Sequence, residues 1–152
     1  MRLTGPGIYG EPPNREEALL ILREAVQSGI HFFDTADYYG EDVTNRLLFE
    51  ALHPYPADMV ICTKVGATRR PDKSWVPYEK PEDIDRAIDN NLRTLQIEQV
   101  QLVHYRVMPG HGLPFEEGMN RMFRLQEQGK IRHIGVSNVS REELELALKM
   151  GP

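Results

Sequence analysis

The feature that most constrains this chain is an alternation. Four apolar, strand-like runs are each followed by a stretch with helical spacing, and a further helical stretch precedes the first run. Asn14 offers an N-cap with Glu17 three residues on, and Ala18, Leu19, Leu22, Ala25 and Val26 mark one helical face up to Gly29. His31-Phe32-Phe33-Asp34 reads as a buried strand, followed by a helix over about 43–52. Met59 to Val65 is the second strand, and a helix starts at Pro81, the tolerated first position. Val100 to Val107 is the third strand, with a helix over about 115–128. Ile131 to Val136 is the fourth, before a helix capped by Ser140. Alternation of this kind predicts an α/β fold with parallel strands and crossover helices. The loops carry their own signals. Residues 1–13 hold three glycines and three prolines and read as loop. Residues 66–80 read as one long loop centred on Trp75, of a length that is usually functional or mobile.

No strand-Gly-x-Gly-x-x-Gly-helix unit is present, so a dinucleotide site of the doubly wound type has no support. The remaining architecture for such alternation is a (β/α)8 barrel, which takes about 250 residues and places its chemistry at the C-terminal strand ends. With 152 residues and four strands, the chain is expected to be a partial TIM barrel, about four βα units of the eight. It is read as a single domain over 1–152. The net charge of -5 argues against a nucleic-acid partner. The apolar runs fall short of the ~20 residues that span a bilayer, and the N-terminus lacks a signal-peptide pattern. Cytoplasmic placement is the expectation. The single cysteine, Cys62, lies in the second strand and reads as a small core residue.

The strands end in Asp34, Lys64, Arg106 and Ser137-Asn138, which a barrel would bring to one pocket. A carboxylate at the end of a buried strand is costly unless a partner or a task holds it there. Asp34 has two readings, an ion-pair partner of Lys64 or a cap on the turn into the next helix. Lys64 beside a tyrosine would favour phenolate, and such a tyrosine can give a proton to a carbonyl oxygen. Ser137 and Asn138 offer hydroxyl and amide groups able to hold a planar carboxamide, or else form a turn and cap in competition with Ser140. Arg106 reads equally as a structural partner of Asp34 or as a catalytic donor. Asp37 and Tyr38 read as loop residues at the pocket rim, and Trp75 as a pocket flank or a loop anchor. His31, His53, His111 and His133 show no ligand spacing, and no metal is expected.

Asp34-Thr35-Ala36-x-x-Tyr39-Gly40, Thr63-Lys64 and Gly129-Lys130-Ile131-Arg132-His133-Ile134-Gly135-Val136-Ser137-Asn138, in this order and spacing, resemble the aldo-keto reductase family, as does Leu52-His53-Pro54-Tyr55-Pro56. The resemblance covers nearly the whole chain. It implies an NADP(H)-dependent oxidoreductase reducing small-molecule aldehydes or ketones on a (β/α)8 barrel. By position, Asp34, Tyr39 and Lys64 match three members of the family's tetrad, with Tyr39 as general acid. Ser137 and Asn138 match the pair that holds the nicotinamide carboxamide, and Asp34 also borders the cofactor. Where the family pattern carries a histidine, Arg106 stands here, two residues after His104. This resembles a bacterial-type subgroup. An arginine keeps its charge and cannot shuttle a proton, but it can donate hydrogen bonds to a substrate oxygen. Against the family pattern, the first strand and the last three βα units are missing. The rival expectation is a non-catalytic binding module that self-associates through open barrel edges.

Overall fold

Several of the helices begin where capping residues place them. In the computed structural model, which describes residues 3–108 and 112–151, α1 spans Arg15–Gln27, and the Asn14 side chain accepts a hydrogen bond from the Glu17 amide at 3.1 Å. The remaining elements are β1 Phe32–Asp34, α2 Val43–Leu52, β2 Val60–Val65, β3 Ala67–Arg69, β4 Trp75–Pro77, α3 Pro81–Leu95, β5 Val100–Arg106, α4 Phe115–Glu127, β6 Ile131–Ser137 and α5 Arg141–Met150. Asp83 accepts from the Lys80 amide at 3.0 Å to open α3. Ser140 and Glu143 exchange cap hydrogen bonds of 3.1 and 2.7 Å at the start of α5. Ser140 therefore takes the capping role for which Ser137 and Asn138 competed. The expectations for Met1, Arg2 and His111 lie outside the described residues.

Four of these strands form one parallel sheet in the order β1-β2-β5-β6. The register sets Asp34 beside Cys62, Lys64 beside His104 and Arg106 beside Ser137, so the polar strand ends share one face in a row that steps by two residues from β1 to β2 and from β2 to β5. Alternation along each strand then separates two faces. Phe33 and Ile61 pack with Leu19, Leu22, Leu47 and Leu48 under α1 and α2. Val65, Val103 and Tyr105 pack with Ile84, Ile88, Met119 and Met122 under α3 and α4. Fully burying each such Leu or Ile contributes about 1.5–3 kcal/mol.

One expectation about the elements is corrected. Residues 66–80 are not simply loop: β3 and β4 pair antiparallel, with Arg69 opposite Trp75. The turn between them is tied by Asp72, which accepts from the Ser74 amide at 2.8 Å and hydroxyl at 2.6 Å. Gly66 lets the chain enter this hairpin, because a Cβ there would lie 2.0 Å from the Arg106 carbonyl oxygen, and its φ is +122°. The apolar stripe of α5 is largely uncovered: Leu144 and Leu148 are exposed, and Ala147 is its buried member. The helix packs against α4 and adds Ala147 to the core beneath it.

Candidate active site

Asp34 and Lys64 sit on adjacent parallel strands, at the ends where both leave the sheet. The Lys64 ammonium donates to the Asp34 carboxylate and, at 3.2 Å, to the Thr35 carbonyl. Its Nζ lies 5.1 Å from the centroid of the Tyr39 ring. Thus three sequence-predicted residues converge: a carboxylate, an ammonium and a phenol. The Lys64 side chain is 14% exposed and that of Asp34 is 40% exposed, so the pair is reachable from the side of the sheet that the helices leave open.

Arg106, on the same face, packs against aromatic rings. Its guanidinium carbon is 5.1 Å from the Trp75 centroid and 6.0 Å from that of Tyr38. Of its two readings, the contacts found are those of a cation held over π-faces. Arg69 takes the same ring of Trp75 at 4.2 Å. Trp75 therefore both anchors its hairpin and borders the site. Ser137 and Asn138 close the row at the end of β6, where Ser137 Oγ donates to Asn138 Oδ1 at 2.9 Å. Asn138 is exposed and left-handed, with φ +60°, which turns its side chain out of the strand line. A hydroxyl and an amide presented side by side suit a planar carboxamide.

Tyr38 is not a rim residue, whereas Asp37 is half-buried and lines a cleft beside the hairpin. Tyr38 is buried edge-on between Tyr39 and Trp75, with centroid distances of 5.4 and 5.2 Å. Burial drives its phenol pKa up, against the pull of Arg106. Asp37 Oδ1 is buried with no hydrogen-bond partner among the described residues. Burial, assisted by the charge of Asp42, pushes this carboxyl up to about 8. Tyr38 looks like an ordinary loop residue in sequence, and the hairpin folding over it is what buries it.

Two sets of contacts had no signal in the sequence. On the helix side, Thr35 donates to Asn45 at 2.8 Å, Thr63 donates to Asn91 at 2.7 Å, and Asn45 donates to Asn91 at 2.9 Å and to Thr94 at 3.0 Å. All are buried. Thr35 and Thr63 follow Asp34 and precede Lys64, so this network grips the two strand backbones from behind while the charged pair points the other way. Deeper on the open face, Cys62 Sγ lies 3.5 Å from His104 Nδ1. Burial and the Asp34 charge push the Cys62 thiol up to about 11, whereas burial and Lys64 lower the His104 pKa. A cleft of about 590 Å³ lies between the hairpin and α3 and is lined by Asp37, Tyr78, Asp83 and Asn90, not by Tyr39 or Lys64. The candidate chemistry belongs to the open strand ends instead.

The sequence profile of the aldo/keto reductase family matches residues 1–152. The chain belongs to the aldo/keto reductase family. It is similar to the pyridoxine 4-dehydrogenase of Escherichia coli K12, at 41% identity over 99% of the chain and 54% of that protein. It is also similar to an uncharacterised oxidoreductase of Schizosaccharomyces pombe, at 33% identity over the whole chain and 49% of that protein. Among solved structures, a glycerol dehydrogenase from Gluconobacter oxydans matches with a TM-score of 0.84 at 26% identity, covering 95% of this chain and 45% of its own. The chain thus spans about half the length of the relatives it matches, and its parallel sheet is part of an aldo/keto reductase barrel. This family is one of oxidoreductases. Among the described residues, no helix is long and apolar enough to cross a membrane.

Proposed function

We propose that the site reduces small-molecule aldehydes or ketones to alcohols with NADP(H), Tyr39 serving as proton donor. The observation that carries this reading is the Lys64–Asp34 pair set against the Tyr39 ring at the strand ends. Tyr39 gives its proton to the carbonyl oxygen as the alcohol forms. Lys64, held by Asp34, stabilises the phenolate left behind. Arg106, fixed over Trp75, presents guanidinium donors to the substrate oxygen and does not move a proton. Ser137 and Asn138 fit the carboxamide of a nicotinamide ring and would orient it toward Tyr39. Such a cofactor supplies the hydride that the carbonyl carbon receives.

The 41% identity to a pyridoxine 4-dehydrogenase makes pyridoxine, and the 4-aldehyde it would yield, the first substrate pair to assay. The site residues all fall within one domain over 1–152. Phe32, on the open face, is 54% exposed, which supports self-association along that face as the companion reading.

The test is NADPH binding by the 152-residue chain, read by nicotinamide fluorescence, with its mass in solution measured in the same sample. Binding, with carbonyl-dependent oxidation that Tyr39→Phe abolishes, supports the reductase. A folded sample that neither binds NADPH nor turns over defeats it in favour of a non-catalytic binding module.

A further inference from the structure

Three metal-ligand atoms meet on the open face of the sheet, below the Asp34–Lys64 pair. The carboxylate of Asp34, the thiol of Cys62 and the imidazole of His104 come from three adjacent strands, and their ligand atoms all lie within 4.8 Å of one another. Cys62 Sγ and His104 Nδ1 are 3.5 Å apart. A tetrahedral zinc ion, with Zn–S about 2.3 Å and Zn–N about 2.0–2.1 Å, holds those two donors about 3.5 Å apart. The observed separation is therefore already the one a shared ion requires.

The surroundings keep the imidazole in that position. His104 lies opposite Gly135 on β6, where a Cβ would come within 2.2 Å of His104 Cδ2. The glycine leaves the ring a slot on one side, and the thiol meets it on the other. Sulfur, imidazole nitrogen and carboxylate oxygen are the donor types that zinc selects.

We propose that Asp34, Cys62 and His104 form a binding site for a soft divalent cation of the Zn²⁺ type. Binding breaks the Cys62 S–H bond, forms a Zn–S bond and passes the proton to water. His104 binds through Nδ1 and Asp34 through a carboxylate oxygen, and water completes the tetrahedron. Because Asp34 also holds Lys64, the ion competes with Lys64 for the carboxylate. Only this consequence, slower turnover at saturating Zn²⁺, rests on the reductase reading.

The experiment titrates the purified chain with Zn²⁺ against a chromophoric chelator and repeats the titration spectroscopically with Co²⁺. The expected result is one ion per chain, with a sulfur-to-cobalt charge-transfer band in the near ultraviolet. Cys62→Ser removes that band, and Cys62→Ser and His104→Gln each weaken Zn²⁺ binding by roughly tenfold or more. His133→Asn, an exposed histidine on the same strand as Gly135, leaves binding unchanged. No binding by the parent chain, a Co²⁺ form without the sulfur band, or equal affinity in His104→Gln overturns the proposal. The parent spectrum and His104→Gln decide the matter even if Cys62→Ser does not fold. Because metal binding is read without turnover, its failure leaves the reductase proposal standing, and an inactive chain can still bind the ion.

Discussion

The two faces of the sheet are made by alternate residues of the same strands, yet they obey different rules. On the helix-covered face, Ile61, Thr63, Val65 and Val103 are wholly buried, and even the polar Thr63 has its hydrogen bond to Asn91. On the opposite face, Asp34, Lys64, His104 and Arg106 are partly exposed and carry the charge. Stability is concentrated on one side and candidate chemistry on the other, one residue apart along the chain. The comparison shows why register matters here: a slip of one residue would place Lys64 in the apolar core and Val65 in the site.

If the faces are truly separable, the largest effect is on rate alone. Tyr39→Phe should slow carbonyl reduction by about 10²–10⁴-fold with an unchanged urea midpoint. A matching loss of stability would show that the site also holds the fold. The converse is Ile88→Ala, which should cost about 2–5 kcal/mol of unfolding free energy in urea while the folded fraction keeps its KM for NADPH. Asn91→Ala tests the place where the separation should fail. It strands the buried groups of Asn45 and Thr63, costing about 1–3 kcal/mol, and loosens the strand ends that aim Asp34 and Lys64. Both the urea midpoint and kcat should fall, and a loss in stability alone would remove the network from any positioning role.

Asp37 gives a smaller, pH-dependent effect. Its carboxyl titrates near 8 when folded and near 3.8 when exposed by unfolding. Between those values the folded chain holds the extra proton, so stability falls as pH rises through that window. Asp37→Asn should flatten this slope, raising the urea midpoint at pH 8 relative to the parent and changing it little at pH 4. The smallest effect expected is that of Trp75→Leu, which removes cation–π contacts worth about 0.5–2 kcal/mol to Arg69 and Arg106. A raised substrate KM with near-normal stability would place Trp75 with the chemical face.

Much of the architecture was legible because its signals are local. Asn14, Pro81 and Ser140 mark helix starts through their own side chains and backbone limits, and the apolar spacing of Leu19, Leu22, Ile84 and Ile88 marks the buried faces. The β3–β4 hairpin was not legible: Ala-Thr-Arg and Trp-Val-Pro are too short to show a period, and their pairing depends on the Asp72–Ser74 turn. The convergence of Asp34, Tyr39 and Lys64 is legible in matched blocks, whereas the burial of Tyr38 is not, because it depends on the hairpin that covers it.

By itself, the sequence determined the parallel α/β alternation, the helix boundaries and the family, since these depend on patterns carried by neighbouring residues. Only the tertiary structure decided that Arg106 faces Trp75, that Asn45 and Asn91 brace the strand ends from behind, and that Cys62 meets His104 from 42 residues away. Those contacts join separate strands and helices. They depend on strand order and register, which no single segment of the chain encodes.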